Sequence, residues 1–446
     1  MSVRLLAALF GLLLVAAVAA GPVAAGDPPP LPVAKASSGA VPPTAPPAEE
    51  APRLAARAWV LIDARDGEVL AADDASMRLP VASTTKLMTA YVALKELPLN
   101  RVVRAAPYGG SFEESLLELR PGQRVSVRDL LYGLILRSGN DAAYDLALAA
   151  AGSEARFVRQ MNLRAAALGL SDTHYANPIG LDEVGNYSSA YDLTVLGRRL
   201  LDIPVFAKIA ATRRTVLRSL RPRRRIVTRN DLLLREPWAT GIKTGFTLGA
   251  GYVLVGAGQR NGAELISAVL GTPSEEARDA ESERLLEYGF SLYRKRLPIR
   301  AGAALAEPAV RYSDEELPLR AARTVAIGVR GGQRLRVVVR APEEVEGPLR
   351  RGARLGRATV LLDGLSVASV PLRAGRAVAE ASAWQRARSV VEGNLGWLAL
   401  LVSAILGGAA LLWRRWRLGS PREDETMSRE QRREMRQRRR EGGEVE

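Results

Sequence analysis

The chain has 446 residues, no cysteine, one histidine and a formal net charge of +15 at pH 7. The missing cysteines exclude disulfides and thiolate nucleophiles, and a single histidine argues against a histidine-rich metal site. That histidine, His174, would be the sole candidate base for a serine–histidine–aspartate triad, so a nucleophilic serine here needs a different base. The basic charge is compatible with anionic lipid or polymer, but no nucleic-acid motif accompanies it, and we expect no nucleic-acid partner.

The start of the chain follows the three-part pattern of a secretory signal peptide. A basic start ending at Arg4 precedes an apolar run over residues 5–20, and Val23-Ala24-Ala25 offers small residues for cleavage. We predict a signal peptide over residues 1–25; an uncleaved anchor is the alternative, and the short apolar run disfavours it. Residues 26–54 are rich in proline and alanine and predict an extended linker.

Residues 55–295 have the pattern of one α+β domain. A hairpin is predicted at its start, with the turn at Asp66-Gly67. Apolar spacing predicts helices next, and β-branched residues with glycines predict strands after them. The predicted helices cover residues 83–94, 127–136, 142–150, 153–168, 191–200 and 274–293, and the predicted strands cover 59–63, 68–72, two paired runs in 240–258, and 263–270. Strands at both ends favour an antiparallel sheet that joins the ends of the domain beside a helical cluster.

Residues 296–372 predict a small all-β, sandwich-like domain, because short β-rich runs alternate there with turn signals. The dipeptides Gly331-Gly332 and Asp363-Gly364 are typical of hairpin turns. Residues 373–394 are interpreted as a connector.

The end of the chain predicts a membrane anchor. Residues 395–413 carry no charge and match the roughly 20 apolar residues that span a bilayer. Arginines follow at once, at 414, 415 and 417, and the positive-inside rule places that side in the cytoplasm. We therefore expect a single-pass protein of the cell membrane with its body outside the cytoplasm. Residues 414–446 form a basic cytoplasmic tail, disordered or loosely helical.

Ser83 and Lys86 form the first candidate catalytic motif. They lie three residues apart at the start of a predicted helix, so the hydroxyl and the amine would be neighbours. Lysine can activate a serine if burial and nearby cations lower its pKa. An N-cap serine followed by a surface lysine is the ordinary alternative for this pair alone.

Two further motifs follow in chain order. Ser138-Gly139-Asn140 falls between two predicted helices, where a hydroxyl and an amide can relay a proton and hold a carbonyl. Lys243-Thr244-Gly245 enters a predicted strand, where lysine and threonine can hold a substrate and glycine lets a backbone approach. Each alone has an ordinary structural explanation, but the order S-x-x-K, S-x-N, K-T-G is the signature of penicillin-binding proteins and serine β-lactamases.

Residues 59–293 resemble the D-alanyl-D-alanine carboxypeptidases of the S11 peptidase family, which are low-molecular-mass penicillin-binding proteins. The resemblance extends beyond the three motifs, and the matching segments are Leu79 to Thr89, Leu136 to Ala143, Asn177 to Leu181, Thr240 to Thr247 and Arg278 to Ser282. It implies the serine β-lactamase or penicillin-binding-protein-like transpeptidase fold, followed in this family by a β domain. Many members end in an amphipathic helix, whereas this chain is predicted to end in a true span.

The resemblance also implies the roles of individual residues. Ser83 is the acylated nucleophile, Lys86 its general base, and Ser138 and Asn140 the proton relay and substrate contact. Substrate binding is expected from Lys243, Thr244, Gly245, Phe246 and Arg278, with the N–H groups of Ser83 and Phe246 forming an oxyanion hole and Arg278 holding a terminal carboxylate.

The activity so implied is removal of the terminal D-alanine from peptidoglycan pentapeptide stems, with β-lactams acylating the same serine. No metal or organic cofactor is implied. Three alternatives stay open: a β-lactamase, an endopeptidase that cuts wall cross-links with the same site, and a catalytically silent wall-binding protein.

Overall fold

The computed structural model describes residues 51–111, 114–393, 395–418 and 429–438. The predicted signal peptide and most of the predicted linker lie outside these residues. The chain divides into two compact units, Met1–Arg294 and Lys295–Glu446.

The first unit begins and ends with strands and has helices between them. Its strands are β1 (Ala58–Asp63), β2 (Val69–Asp73), β3 (Val102–Arg104), β4 (Arg124–Ser126), β5 (Arg214–Leu217), β6 (Arg224–Val227), β7 (Ala239–Thr247), β8 (Gly251–Arg260) and β9 (Ala263–Thr272). Its α-helices are α1 (Lys86–Glu96), α2 (Val127–Tyr132), α3 (Asn140–Ala151), α4 (Glu154–Ala167), α5 (Ala190–Leu201), α6 (Pro204–Ala210), α7 (Asp231–Arg235) and α8 (Glu275–Ser291).

One antiparallel sheet, in the order β2-β1-β9-β8-β7, organises this unit. Every residue of β1 is buried, because both faces of the sheet are covered. Ala58, Val60 and Ile62 face the core that holds α1, α3 and α5, whereas Trp59 and Leu61 face the core that holds α8. The predicted sheet joining both ends of the domain is therefore confirmed, with β7 at one edge.

The helices begin where the sequence supplies caps. The hydroxyls of Ser126, Ser153, Ser189 and Ser274 accept hydrogen bonds from the third residue of α2, α4, α5 and α8 respectively. These caps fix the helix starts, and buried apolar faces hold the helices against the sheet.

Three helix predictions were wrong in detail. The predicted helix 83–94 is a 3₁₀ helix over Ala82–Thr85 followed by α1. The predicted helix 127–136 divides into α2 and a π-helix over Gly133–Arg137. The last predicted helix ends early, because Tyr293 begins the next strand.

The second unit contains strands up to Ala374 and helices after it. The strands, of which the first begins two residues before the unit, are β10 (Tyr293–Ile299), β11 (Ala304–Ala306), β12 (Ala309–Val310), β13 (Leu319–Ala321), β14 (Val325–Arg330), β15 (Leu335–Arg340), β16 (Glu344–Val345), β17 (Arg354–Leu362) and β18 (Leu365–Ala374). Asp363-Gly364 joins β17 and β18 as the predicted hairpin. Gly331-Gly332 does not form one, because β14 lies beside β10 whereas β15 lies beside β17.

Three helices follow these strands, α9 (Ala383–Gly393), α10 (Leu395–Leu418) and α11 (Arg429–Arg438). Among the described residues, one helical segment, Ala399–Leu418, is long and apolar enough to cross a membrane by length and composition. Residues 419–428 and 439–446 of the predicted tail are outside the described part of the chain.

Candidate active site

The candidate nucleophile lies on the short 3₁₀ helix that precedes α1. Ala82 has φ of 48°, a conformation rare for a residue with a side chain, and it turns the chain into that helix. Lys86 begins α1, and its Nζ lies 2.8 Å from Ser83 Oγ. The predicted pairing of hydroxyl and amine is present, although through a 3₁₀ turn.

Lys86 is fully buried, and Nζ also donates to the backbone oxygen of Ile179. Burial lowers the pKa of Lys86 from 10.5 to about 7; the carboxylates of Glu114 and Asp141 oppose this shift, and Arg229 adds to it. Near neutral pH a large fraction of this amine is therefore uncharged and able to take a proton from Ser83.

Ser138 and Asn140 lie where the π-helix ends and α3 begins. Ser138 adopts the left-handed conformation, with φ of 59°, and Asn140 is the first residue of α3 rather than part of the break. The Ser138 Oγ is buried and has no hydrogen-bond partner in the described part of the chain. An unpaired buried hydroxyl is costly, and such a group is available to a ligand.

Strand β7 brings the third motif against the nucleophile. A Cβ built on Gly245 would lie 2.9 Å from the backbone nitrogen of Ser83, so glycine is what permits this approach. Lys243 is buried and donates to the Thr244 oxygen at 2.6 Å. Burial, followed by the neighbouring cations Lys86, Arg229 and Arg278, holds the pKa of Lys243 well below its usual value.

The remaining two predicted residues lie near the end of β7 and on α8. Phe246 is half exposed and stacks on Tyr252, with ring centroids 4.3 Å apart. Arg278 lies on α8 and is nearly buried, and its guanidinium pairs with Glu275 at 3.0 Å and with Asp279 at 2.8 Å. The two carboxylates fix the orientation of its planar donor group.

These elements enclose one groove of about 680 Å³. It brings together predicted residues from all three motifs and from α8, namely Ser83, Ser138, Asn140, Thr244, Gly245, Phe246 and Arg278. Lys86 and Lys243 are buried behind its surface. The size suits a short peptide end.

Sequence reasoning missed Glu114 and Arg229, and it assigned no role to Asn177. Glu114 Oε2 accepts hydrogen bonds of 2.6 Å from the Asn140 amide and from Tyr108, and Glu114 and Arg229 both line the groove. Burial would raise the pKa of Glu114, but the hydrogen bonds from Tyr108 and Asn140 outweigh it and leave the pKa lowered. These contacts are remote in sequence, so no motif signals them.

Asn177 shapes the loop that carries the lysine's other partner. Its Oδ1 accepts from the backbone nitrogens of Ile179, at 3.2 Å, and Gly180, at 2.7 Å. Gly180 has φ of +88°, and a Cβ there would overlap the carbonyl of Ala82. The segment Asn177 to Leu181, one of the segments that resemble the family, thus packs directly on the candidate nucleophile, Ser83.

In the part of the chain that the structure describes, no group of three or more His, Asp or Glu side chains is placed to hold a metal ion. The chemistry available from the groove is acyl transfer, because it combines a hydroxyl, a buried amine and donors for a carboxylate.

Comparisons with known proteins agree with this chemistry. The family model of the S11 peptidases, D-alanyl-D-alanine carboxypeptidase, matches residues 45–274. The chain is 35% identical to D-alanyl-D-alanine carboxypeptidase DacC of Escherichia coli, covering 72% of this chain and 84% of that protein. It is 33% identical to DacA of Haemophilus influenzae, covering 79% and 91% respectively.

Solved structures give the same result. Penicillin-binding protein 5 of Haemophilus influenzae superposes with a TM-score of 0.52 and 32% identity, covering 74% of this chain and 99% of that one. The Streptomyces K15 DD-transpeptidase superposes with a TM-score of 0.52 and 32% identity over 54% of this chain. The chain therefore belongs to the S11 family of serine peptidases and is a penicillin-binding D-alanyl-D-alanine carboxypeptidase.

Proposed function

We propose that this enzyme removes the terminal D-alanine from peptidoglycan pentapeptide stems through an acyl-enzyme on Ser83. The observation that carries the proposal is the fully buried amine of Lys86, 2.8 Å from the Ser83 hydroxyl and with its pKa lowered to about 7. A serine hydroxyl is a weak nucleophile until a base takes its proton, and this amine is the base within reach.

The reaction begins when neutral Lys86 takes the proton of Ser83 as Oγ attacks the carbonyl between the two D-alanines. The tetrahedral intermediate collapses when the carbon–nitrogen bond breaks, and the proton passes through the Ser138 hydroxyl to the leaving nitrogen. Asn140 holds the substrate chain on the acyl side. Water then attacks the ester, which releases the shortened peptide and restores Ser83.

The oxyanion hole is assigned to the backbone N–H groups of Ser83 and Phe246. This proposal is supported by the close approach of β7 to Ser83 that Gly245 allows. Two such donors would stabilise the negative charge that develops on the carbonyl oxygen.

The terminal carboxylate is assigned to Arg278, Lys243 and Thr244. All three are buried or nearly buried, and Arg278 is held in place by Glu275 and Asp279. An incoming carboxylate would offset the mutual repulsion of the cations around Lys243. Recognition of a terminal carboxylate would restrict cleavage to the end of the peptide.

We further propose that α10 anchors the protein in the cell membrane, with the catalytic unit outside the cytoplasm and the basic tail inside. The support is its length, its apolar composition and the arginines at its end. We assign the strands over residues 296–372 to a small β domain of their own, and residues 1–25 to a signal peptide.

Release of D-alanine from a pentapeptide, measured by mass spectrometry, tests the proposal. Native enzyme should release D-alanine and bind a fluorescent penicillin covalently, whereas Ser83→Ala should do neither. Ser291→Ala, at an exposed serine on α8, is the matched control and should behave as native.

Equal release by native enzyme and Ser83→Ala would overturn the mechanism. Turnover of a β-lactam faster than of the pentapeptide would indicate a β-lactamase, and cleavage of cross-linked dimers faster than of the pentapeptide would indicate an endopeptidase. Failure of penicillin to label the native protein would indicate a silent wall-binding protein.

A further inference from the structure

The hairpin β5–β6 carries a concentration of arginine, and the carboxylate that contacts its turn, Asp129, accepts hydrogen bonds from Ser219 rather than from an arginine. Between Thr212 and Asn230 the sequence has eight arginines and no aspartate or glutamate. No ion pair joins any of the eight to a carboxylate among the described residues, whereas at least ten arginines elsewhere in the described part of the chain have such partners. The hairpin therefore presents arginines that form no ion pair among the described residues.

Strand alternation separates the two faces of this hairpin. The inward face buries Leu217 and Ile226 in the core. The outward face exposes Arg214 and Arg225, and the turn between the strands exposes Arg218, Arg221 and Arg223. Five exposed guanidinium groups within one hairpin repel one another, and an anionic partner would relieve that repulsion.

The hairpin is continuous with the rim of the active-site groove. Arg224 donates to the backbone oxygen of Leu117 and contacts that of Glu118, in the loop that carries the groove residues Glu114 and Ser115. Arg229, two residues after β6, lines the groove and donates to Ser115. A molecule long enough to leave the groove on this side would meet the arginines of the turn.

We propose that the exposed face of β5–β6 is a docking surface for the polymeric wall substrate, where arginines bind carboxylates of stem peptides next to the one in the groove. This inference rests on the proposed function. A stem peptide ends in a carboxylate, so a polymer that carries many stems presents a row of negative charges, whereas a free pentapeptide presents only its own. The surface therefore favours polymer over free peptide.

The test compares two triple variants of the full chain in detergent. Arg218→Gln with Arg223→Gln and Arg225→Gln removes three hairpin charges, and Arg156→Gln with Arg159→Gln and Arg199→Gln removes three exposed charges elsewhere in the same unit. D-Alanine release is measured at low salt from intact wall polymer and from soluble pentapeptide.

The hairpin variant should lose about tenfold in kcat/KM on polymer and less than about twofold on pentapeptide, and the control variant should match native enzyme on both. The tenfold difference should disappear in about 1 M salt, where the screening length falls to about 3 Å. Unchanged penicillin labelling shows that the variants are folded.

Equal kcat/KM of the hairpin variant and native enzyme on polymer would overturn this inference. The inference would also fail if the hairpin variant turned over polymer like native enzyme but was no longer retained on anionic phospholipid micelles. That result would show that the arginines bind lipid instead. Failure of native enzyme to release D-alanine from the pentapeptide would instead overturn the proposed function, so the two failures are distinguishable.

Discussion

Lys86 is placed where a charged amine is costly, and this position sets its chemistry. It is fully buried, and its pKa is lowered to about 7 chiefly by that burial. Carboxylates at Glu114 and Asp141 keep the pKa from falling further. The residue can therefore exchange a proton near neutral pH.

The rate of acylation by penicillin should follow this pKa. The base is the uncharged amine, whose fraction rises as the pH rises through about 7. We expect the second-order acylation rate to increase from pH 6 to pH 8 and then level off, as measured by stopped-flow labelling. Lys86→Ala should lower it about 10²- to 10⁴-fold at all of these pH values. A pH-independent rate in native enzyme would contradict this role.

Glu114 should act by positioning Asn140. Its carboxylate fixes the amide through a 2.6 Å hydrogen bond. Glu114→Ala should lower kcat/KM for the pentapeptide at least about tenfold, whereas Glu114→Gln, which can still accept a hydrogen bond, should retain most activity. Both changes remove a negative charge near Lys86, so the acidic limb of the pH profile should move to lower pH.

Glu118→Gln, at an exposed carboxylate in the same loop, is the control for Glu114 and should leave both the rate and the profile unchanged. If the pH profiles of both Glu114 variants matched that of native enzyme, the charge of Glu114 would not be raising the pKa of Lys86.

The contacts within the site differ in how far the sequence alone predicts them. Ser83 and Lys86 are adjacent through local chain geometry, so their spacing predicted their contact. Glu114 reaches Asn140 across 26 positions, and Arg229 reaches Ser115 across 114. Such contacts depend on the packing of loops, which leaves no periodic signal in a single sequence.

Strand β7 connects the central sheet to the candidate active site. It pairs with β8 on one side, and on the other it brings Gly245 against the 3₁₀ helix of the nucleophile. The strand and its glycine were predicted from the motif and from local composition. The 3₁₀ helix and the π-helix were not, because apolar spacing does not distinguish them from an α-helix over four or five residues.

Gly245→Ala should weaken catalysis by displacing β7. The added Cβ would meet Ser83 N and Val253 Cγ2 at 2.9 Å each, so the strand must move by a few tenths of an ångström. We expect the rate of penicillin labelling to fall at least about tenfold, because reacting groups tolerate little misplacement. Gly109→Ala, whose Cβ meets nothing within 4 Å, is the matched control. Equal rates of penicillin labelling by Gly245→Ala and Gly109→Ala would show that β7 does not pack tightly against Ser83.

At the scale of the whole molecule, the chain combines a catalytic unit with a second unit that contains α10. Composition predicted both the helix and the change to β-rich sequence near residue 296. It misplaced one hairpin, because Gly331-Gly332 signals a turn without specifying which strands the turn connects.

Removal of α10 should release the protein from the membrane and leave its active site intact. A chain ending at Ala381 should leave the membrane fraction and still bind fluorescent penicillin, since every groove residue precedes Lys295. A chain ending at Ser420, which keeps α10 but loses most of the tail, should stay with the membrane. Recovery of the shorter chain in the membrane fraction, measured by centrifugation and immunoblotting, would contradict anchoring by α10.

The burial of Lys86 also has a consequence for heat resistance. In the unfolded chain this amine has its ordinary pKa of 10.5, whereas in the folded protein it is about 7. Between these values folding releases a proton, so the free energy of unfolding rises with pH and reaches its full value only above about 10.5. The melting temperature of native enzyme, relative to that of Lys86→Met, should therefore climb on the alkaline side. As the pH falls from about 10.5 to about 7 this contribution to stability is lost, and below about 7, where the charged amine can no longer act as a base, it falls no further.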